Sequence, residues 1–221
     1  MTNTSYRWVI VAAGGLLGCM AIGAMFSLPV FLLPISRDTG WSVTGVSSAM
    51  TIGFLAMAFA SIAWGSLSDR LGARIIAFTG SVILAASLFL ASQATSLLAF
   101  QLIFGLAVGG AVAAIFAPLM ACVTGWFDTH RSLAVSLVSA GMGMAPMTLS
   151  PFARWLISNY DWRTSFLIIG VVAWVLMIPA ALLFRVFYAL NSALSRPKTV
   201  MLINLLVDLS YGFLDPRVRQ R

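Results

Sequence analysis

Long apolar runs separated by short polar stretches organise this chain. Six of them fall at about residues 8–35, 44–64, 75–94, 97–123, 132–157 and 164–184. Each reaches the length of about 20 mainly apolar residues that a helix needs to cross a bilayer. The short alternating segments of a membrane barrel do not occur. A lone strand in lipid leaves its backbone groups unpaired, so every run is predicted to be a helix. The pattern predicts an all-α polytopic chain with six spans.

Composition fixes the solvent. Of 221 residues, 61% are apolar and 9% charged, with a mean hydropathy of +1.00; an ordinary soluble domain carries about 25% charged residues. A water-soluble fold of this length has too much surface to cover for so apolar a chain, so the partner of most side chains is the lipid bilayer. The net charge of +7 would suggest nucleic acid in a soluble protein; here it reads as the basic residues that cytoplasmic loops carry. Arg7 precedes its apolar run as in a secretory leader. The run is longer than a leader's and lacks a small-residue cleavage site, so a retained first helix is predicted. Cys19 and Cys122 lie in apolar runs without partner spacing, and neither a disulfide, a metal site nor a cofactor is expected.

Basic residues set the orientation. With the N-terminus in the cytoplasm, Arg7, Arg70, Arg74, Arg131, Arg185, Arg196 and Lys198 lie inside, and Arg37, Arg154 and Arg163 outside. That asymmetry predicts a cytoplasmic N-terminus. Trp8, Trp41, Trp64, Trp126, Trp155 and Trp162 stand near span ends, where amphipathic rings favour the headgroup level; Trp174 alone lies inside a span.

Between the second and third runs the chain reads Gly65-Ser66-Leu67-Ser68-Asp69-Arg70-Leu71-Gly72-Ala73-Arg74. Gly65 would let the second helix end close to its neighbours, and Gly72 permits a tight turn. Asp69 is a carboxylate that a helix N-terminus could receive, with about 0.3–1 kcal/mol of dipole stabilisation. Arg70 and Arg74 can pair with it. The stretch resembles the signature loop of the major facilitator superfamily, matched at Gly65, Leu67, Ser68, Asp69, Arg70, Gly72 and Arg74, with Ala73 in place of the first basic residue. The resemblance implies an N-terminal half: a six-helix transmembrane half-bundle of two inverted three-helix repeats over residues 1–185. It also implies that the loop latches two halves together.

Two further stretches, Pro34-Ile35-Ser36-Arg37-Asp38-Thr39-Gly40-Trp41-Ser42 and Asp161-Trp162-Arg163-Thr164-Ser165-Phe166, resemble outer loops of the monocarboxylate and oxalate–formate branch of that superfamily. The resemblance implies secondary transport of a small organic anion such as a carboxylate, coupled to a proton or an exchanged anion, in a bacterial inner membrane. Substrate in such carriers lies near the midplane between halves. Intramembrane polar groups are the usual pointers to it, and Gln101 and Arg154 are the candidates for solute contact. Their structural alternatives are an interhelical hydrogen bond for Gln101 and snorkelling for Arg154. Gly14/Gly18, Gly105/Gly109 and Gly141/Ala145 are small-xxx-small pairs that let helices approach. Pro29, Pro118, Pro146, Pro151 and Pro179 can bend helices. His130 is expected in a solvated loop. No phosphate-cradling loop, metal cluster or nucleophile–base arrangement is present, so no enzyme is predicted.

Residues 186–221 form a separate basic segment. The stretches 201–209 and 211–219 resemble the end of a dipeptide-type ABC permease, without the loop that docks its ATPase. An interfacial helix with a basic tail is predicted there. Three readings follow: a carrier half that pairs with a second half or with itself, a truncated or fused fragment without transport, and an ABC permease subunit.

Overall fold

The computed structural model describes residues 4–127 and 130–182. The basic segment 186–221, with the interfacial helix expected in it, lies outside the described residues, as does Arg185. Among the described residues, six helical stretches are long and apolar enough to cross a membrane. Span 1 is α1 (Thr4–Phe26) followed by α2 (Leu28–Thr39). Span 2 is α3 (Val43–Leu71) and span 3 is α4 (Ala73–Ser92). Span 4 joins α5 (Leu97–Phe100), a π-wound stretch Gln101–Val108 and α6 (Gly109–Trp126). Span 5 is α7 (Arg131–Gly143) with α8 (Ala145–Asn159), and span 6 is α9 (Trp162–Leu182).

Local chemistry explains most of the boundaries. Pro29 and Pro146 each stand in the first two residues of a restarted helix, after breaks at Ser27 and Met144. Gly40, at φ 74°, closes α2, and Ser42 opens α3 by accepting the Gly45 N–H at 3.0 Å. Ser96 opens α5 in the same way through Ala99 N–H, at 3.3 Å. Within the spans, hydroxyls bond back to carbonyls one turn earlier: Ser81 to Ala77 at 2.8 Å and Ser87 to Ile83 at 2.6 Å. Such bonds remove polar groups from lipid without breaking the helix.

Packing follows an internal symmetry. Span 3 packs on span 6 and span 1 on span 4; span 2 packs on span 4 and span 1 on span 5; span 3 packs on span 4 and span 1 on span 6. Exchanging spans 1, 2, 3 with 4, 5, 6 leaves this set of contacts unchanged. Because each repeat has three spans, the second starts from the opposite side of the bundle, which makes the repeats inverted.

Glycine sets two of the crossings between the repeats. At the 2–4 crossing, a Cβ on Gly109 would meet the Gly53 backbone, and one on Gly105 would lie 2.6 Å from Ile52. At the 1–5 crossing, a Cβ on Gly141 would lie 2.9 Å from the Gly15 Cα. In lipid, apolar side chains gain little by leaving their solvent, so such close backbone approach carries the association.

Candidate functional site

The turn between spans 2 and 3 differs from its expected form. Helix α3 runs through Gly65, Leu67, Ser68, Asp69 and Arg70 to Leu71, and α4 already includes Arg74. Gly72 alone separates the two helices. Its φ of 96° and ψ of 143° lie where a Cβ is strained, and its N–H donates to Ser68 O at 2.9 Å. One glycine therefore reverses the chain.

Three expectations for this turn are corrected. Gly65 does not serve close packing within the bundle, because a Cβ there meets no atom within 4 Å. Among the described residues Asp69 accepts no hydrogen bond from a helix N-terminus: it stands in the last turn of α3, where the helix dipole disfavours an anion. Nor do Arg70 and Arg74 pair with it. All three are on the outside of the turn or half-buried, and among the described residues their side chains make no hydrogen bond or ion pair.

At the opposite end of the bundle, the two outer stretches come together. Trp162 donates its indole N–H to Asp38 Oδ2 at 2.8 Å. Arg163 donates to Ser92 O at 2.6 Å and Ala94 O at 3.2 Å, capping the carbonyl end of span 3, and its guanidinium lies 4.5 Å from the Trp162 ring centre. Asp161 opens α9. Thr164 Oγ1 donates to it at 2.6 Å and Thr164 N–H at 3.2 Å, and these bonds, the hydroxyl's foremost, hold the Asp161 carboxyl below the usual carboxylate range.

Aromatic rings fill the space beneath. Phe31 stacks on Phe166 at 4.4 Å between ring centres, and Phe100 touches Trp41, Phe104, Trp162 and Phe166. Trp162, at the first position of span 6, is buried, 3% exposed, and its N–H is satisfied by Asp38.

Gln101 and Arg154 are not brought together. Gln101 Nε2 donates to Gly45 O and to Ser48 Oγ, each at 2.8 Å, fastening span 4 to span 2. Arg154 is exposed on span 5. Among the described residues, the guanidinium groups of Arg37, Arg70, Arg74 and Arg154 make no hydrogen bond or ion pair, and Arg154 lies farthest of the four from a span end. His130 is exposed, with a left-handed backbone at φ 66°. Sequence reasoning missed the Asp38–Trp162 and Arg163–Ser92 contacts; the two outer stretches were visible, but not their meeting.

Spans 2 and 5 are the open elements. Only 17% and 28% of their apolar windows are buried, against 44% to 65% for the other four spans. Phe59, Ile62 and Met147 are each about three-quarters exposed. On the 1–5 edge, Cys19 Sγ lies 3.7 Å from Thr148 Oγ1. A separate apolar groove of about 270 Å³ runs between spans 3 and 6, lined by Ala85, Phe89, Gly170 and Trp174 among others.

Comparison with known proteins fits this arrangement. Residues 4–206 match the family described as Major Facilitator Superfamily. Monocarboxylate transporter 13 of Rattus norvegicus is 30% identical over 192 residues, covering 87% of this chain and 45% of that protein. The oxalate:formate antiporter of Oxalobacter formigenes is 26% identical over 180 residues, covering 81% and 43%. The solved structure of a bacterial homologue of the human lysosomal transporter Spinster, in an inward-facing and unoccupied conformation, aligns with a TM-score of 0.65 at 18% identity. That alignment covers 82% of this chain and 43% of the other, and it bears on the fold alone. The chain spans less than half the length of the curated relatives it matches.

Proposed function

The chain belongs to the Major Facilitator Superfamily, and we propose that it forms one six-helix half of a secondary carrier for a small organic anion, a carboxylate foremost. The observation that carries the reading is the exposure of spans 2 and 5, together with an Arg154 whose guanidinium has no partner among the described residues. Such a guanidinium is suited to draw a carboxylate toward the bundle, since it offers a fork of donors matched to two oxygens. The names of the relatives, monocarboxylate transporters and an oxalate:formate antiporter, support the same substrate class.

In this reading Arg154 steers the anion, Gln101 shapes the cavity by fixing span 4 against span 2, and the turn at 65–74 meets a second half. Coupling is to a proton or an exchanged anion. The chain sits in a bacterial inner membrane with its N-terminus in the cytoplasm, which places Arg70, Arg74 and Arg131 inside.

Flux of labelled formate, oxalate and lactate into proteoliposomes tests the reading. Uptake above empty vesicles is expected, with Arg154→Gln raising KM for the anion. No uptake under any proton or anion gradient would remove the transport claim and favour a fragment without transport.

A further inference from the structure

We propose that Ser136 and Ser139 of span 5 form a hydroxyl site for the carboxylate group of the solute. The site deepens the carrier reading and rests on it for the solute class; binding there can be measured without transport.

Hydroxyls without partners single out these residues. Every described serine and threonine side chain on spans 1, 3, 4 and 6 makes a hydrogen bond. Among the described residues, the span hydroxyls that make none all lie on spans 2 and 5, and span 5 holds four of them, Ser132, Ser136, Ser139 and Ser150. A hydroxyl that faces lipid bonds back to its own helix, as Ser61 does to Ala58 O at 2.7 Å. One that does not is left to water or to a ligand.

The internal symmetry shows what such a hydroxyl takes. Spans 2 and 5 begin at Val43 and Arg131. Each carries a hydroxyl at its second, sixth and ninth positions and a crossing glycine at its eleventh. These are Thr44, Ser48, Thr51 and Gly53 on span 2, and Ser132, Ser136, Ser139 and Gly141 on span 5. Because the repeats are inverted, the two copies lie toward opposite ends of the bundle. On span 2 the sixth-position hydroxyl is occupied: Ser48 Oγ accepts from Gln101 Nε2 at 2.8 Å and donates to Gly45 O at 2.7 Å. Its counterpart Ser136 makes neither bond, and Ser139 is free beside it. The chain closes one copy of the motif with its own amide and leaves the other open.

The open copy suits a carboxylate. Ser136 and Ser139 stand three residues apart on one helix face, with Cβ atoms about 5–6 Å apart. Each hydroxyl has a proton to donate, so one carboxylate can accept from both, one oxygen to each. Ser132 continues the same face toward the end of the bundle that holds the 65–74 turn. Ala140 and Gly143 flank the pair and are exposed, and a Cβ on Gly143 would meet no atom within 4 Å, so a small solute has room. Ser139 lies about 12 Å along the helix from Arg131, which puts the pair inside the span rather than at its mouth.

Binding of sodium formate and sodium oxalate to the full chain in nanodiscs tests the site. The readout is the rise in thermal midpoint with anion concentration, against sodium chloride at equal ionic strength. Wild type should bind the carboxylates and not chloride. Ser136→Ala and Ser139→Ala should each weaken the apparent affinity roughly tenfold or more. Neither should move the midpoint without anion, since neither hydroxyl holds the bundle. Ser139→Thr, which restores a hydroxyl, should bind as wild type does, and Ser61→Ala should change nothing. Wild type that binds no carboxylate, chloride binding equal to formate, or a Ser139→Thr chain as weak as Ser139→Ala would each overturn the inference. So would wild-type affinity in the Ser136→Ala, Ser139→Ala double variant. Flux of labelled formate separates this site from the carrier reading. Flux with wild-type KM in the double variant removes the site and keeps the carrier; binding without flux keeps the site and removes the carrier.

Discussion

Trp162 and Asp38, far apart in the chain, meet through a 2.8 Å hydrogen bond from the indole N–H to Oδ2. The bond joins the end of span 1 to the start of span 6, over the stack of Phe31 on Phe166. Trp162→Phe keeps a ring in the cluster and removes the donor. A loss of about 1.5–3 kcal/mol is expected, as for hydrogen bonds to charged groups. Asp38→Asn, which retains an acceptor, should cost less. Thermal unfolding in detergent orders the two; equal losses would assign the contribution to packing alone.

Asp161 gives the bundle a pH dependence of known sign. Its folded-state pKa is lowered, chiefly by the Thr164 hydroxyl. Its contribution is therefore complete above the ordinary Asp value of about 3.9 and is lost as pH falls through the folded value. Asp161→Asn keeps a capping residue and removes the titration. The variant should show a flatter thermal midpoint between about pH 5 and pH 3 than the parent. An unchanged slope would place the acid sensitivity elsewhere.

Gly72 and Gly65 should part company. At φ 96° and ψ 143°, Gly72→Ala strains the backbone by about 1–3 kcal/mol. Gly65→Ala enters open space and should leave the isolated chain as stable or slightly more so. Thermal midpoints of the two variants, compared in one detergent, check this; a large loss at Gly65 would contradict its open setting.

Removing the Gln101 amide tests the clamp between spans 2 and 4. Gln101→Leu should cost about 0.6–1.7 kcal/mol, the range of interhelical hydrogen bonds in membranes. The low end is favoured, because Ser48 Oγ already donates to Gly45 O at 2.7 Å and is left with a partner. Gly109→Ala should cost more, since its Cβ would run into the Gly53 backbone rather than a side chain that can turn away. The reverse order would contradict backbone contact as the tighter constraint.

The sequence by itself determined the number of spans, their helical nature and their solvent, since run length and apolar content state what each stretch can cross. It also marked the turn at Gly72, where a single residue's torsional freedom acts on its own neighbours. Only the tertiary structure decided which glycines pack and which stand open, so Gly109 and Gly65, alike in the sequence, acquired opposite roles. It turned Trp162 inward to Asp38, committed the Gln101 amide to span 2, and left Asp69 at the unfavourable end of its helix. Those outcomes depend on which helices lie beside one another. Periodicity records the face a helix buries, but all faces here are apolar, and the pairing is set by backbone approach and hydrogen bonds between distant residues.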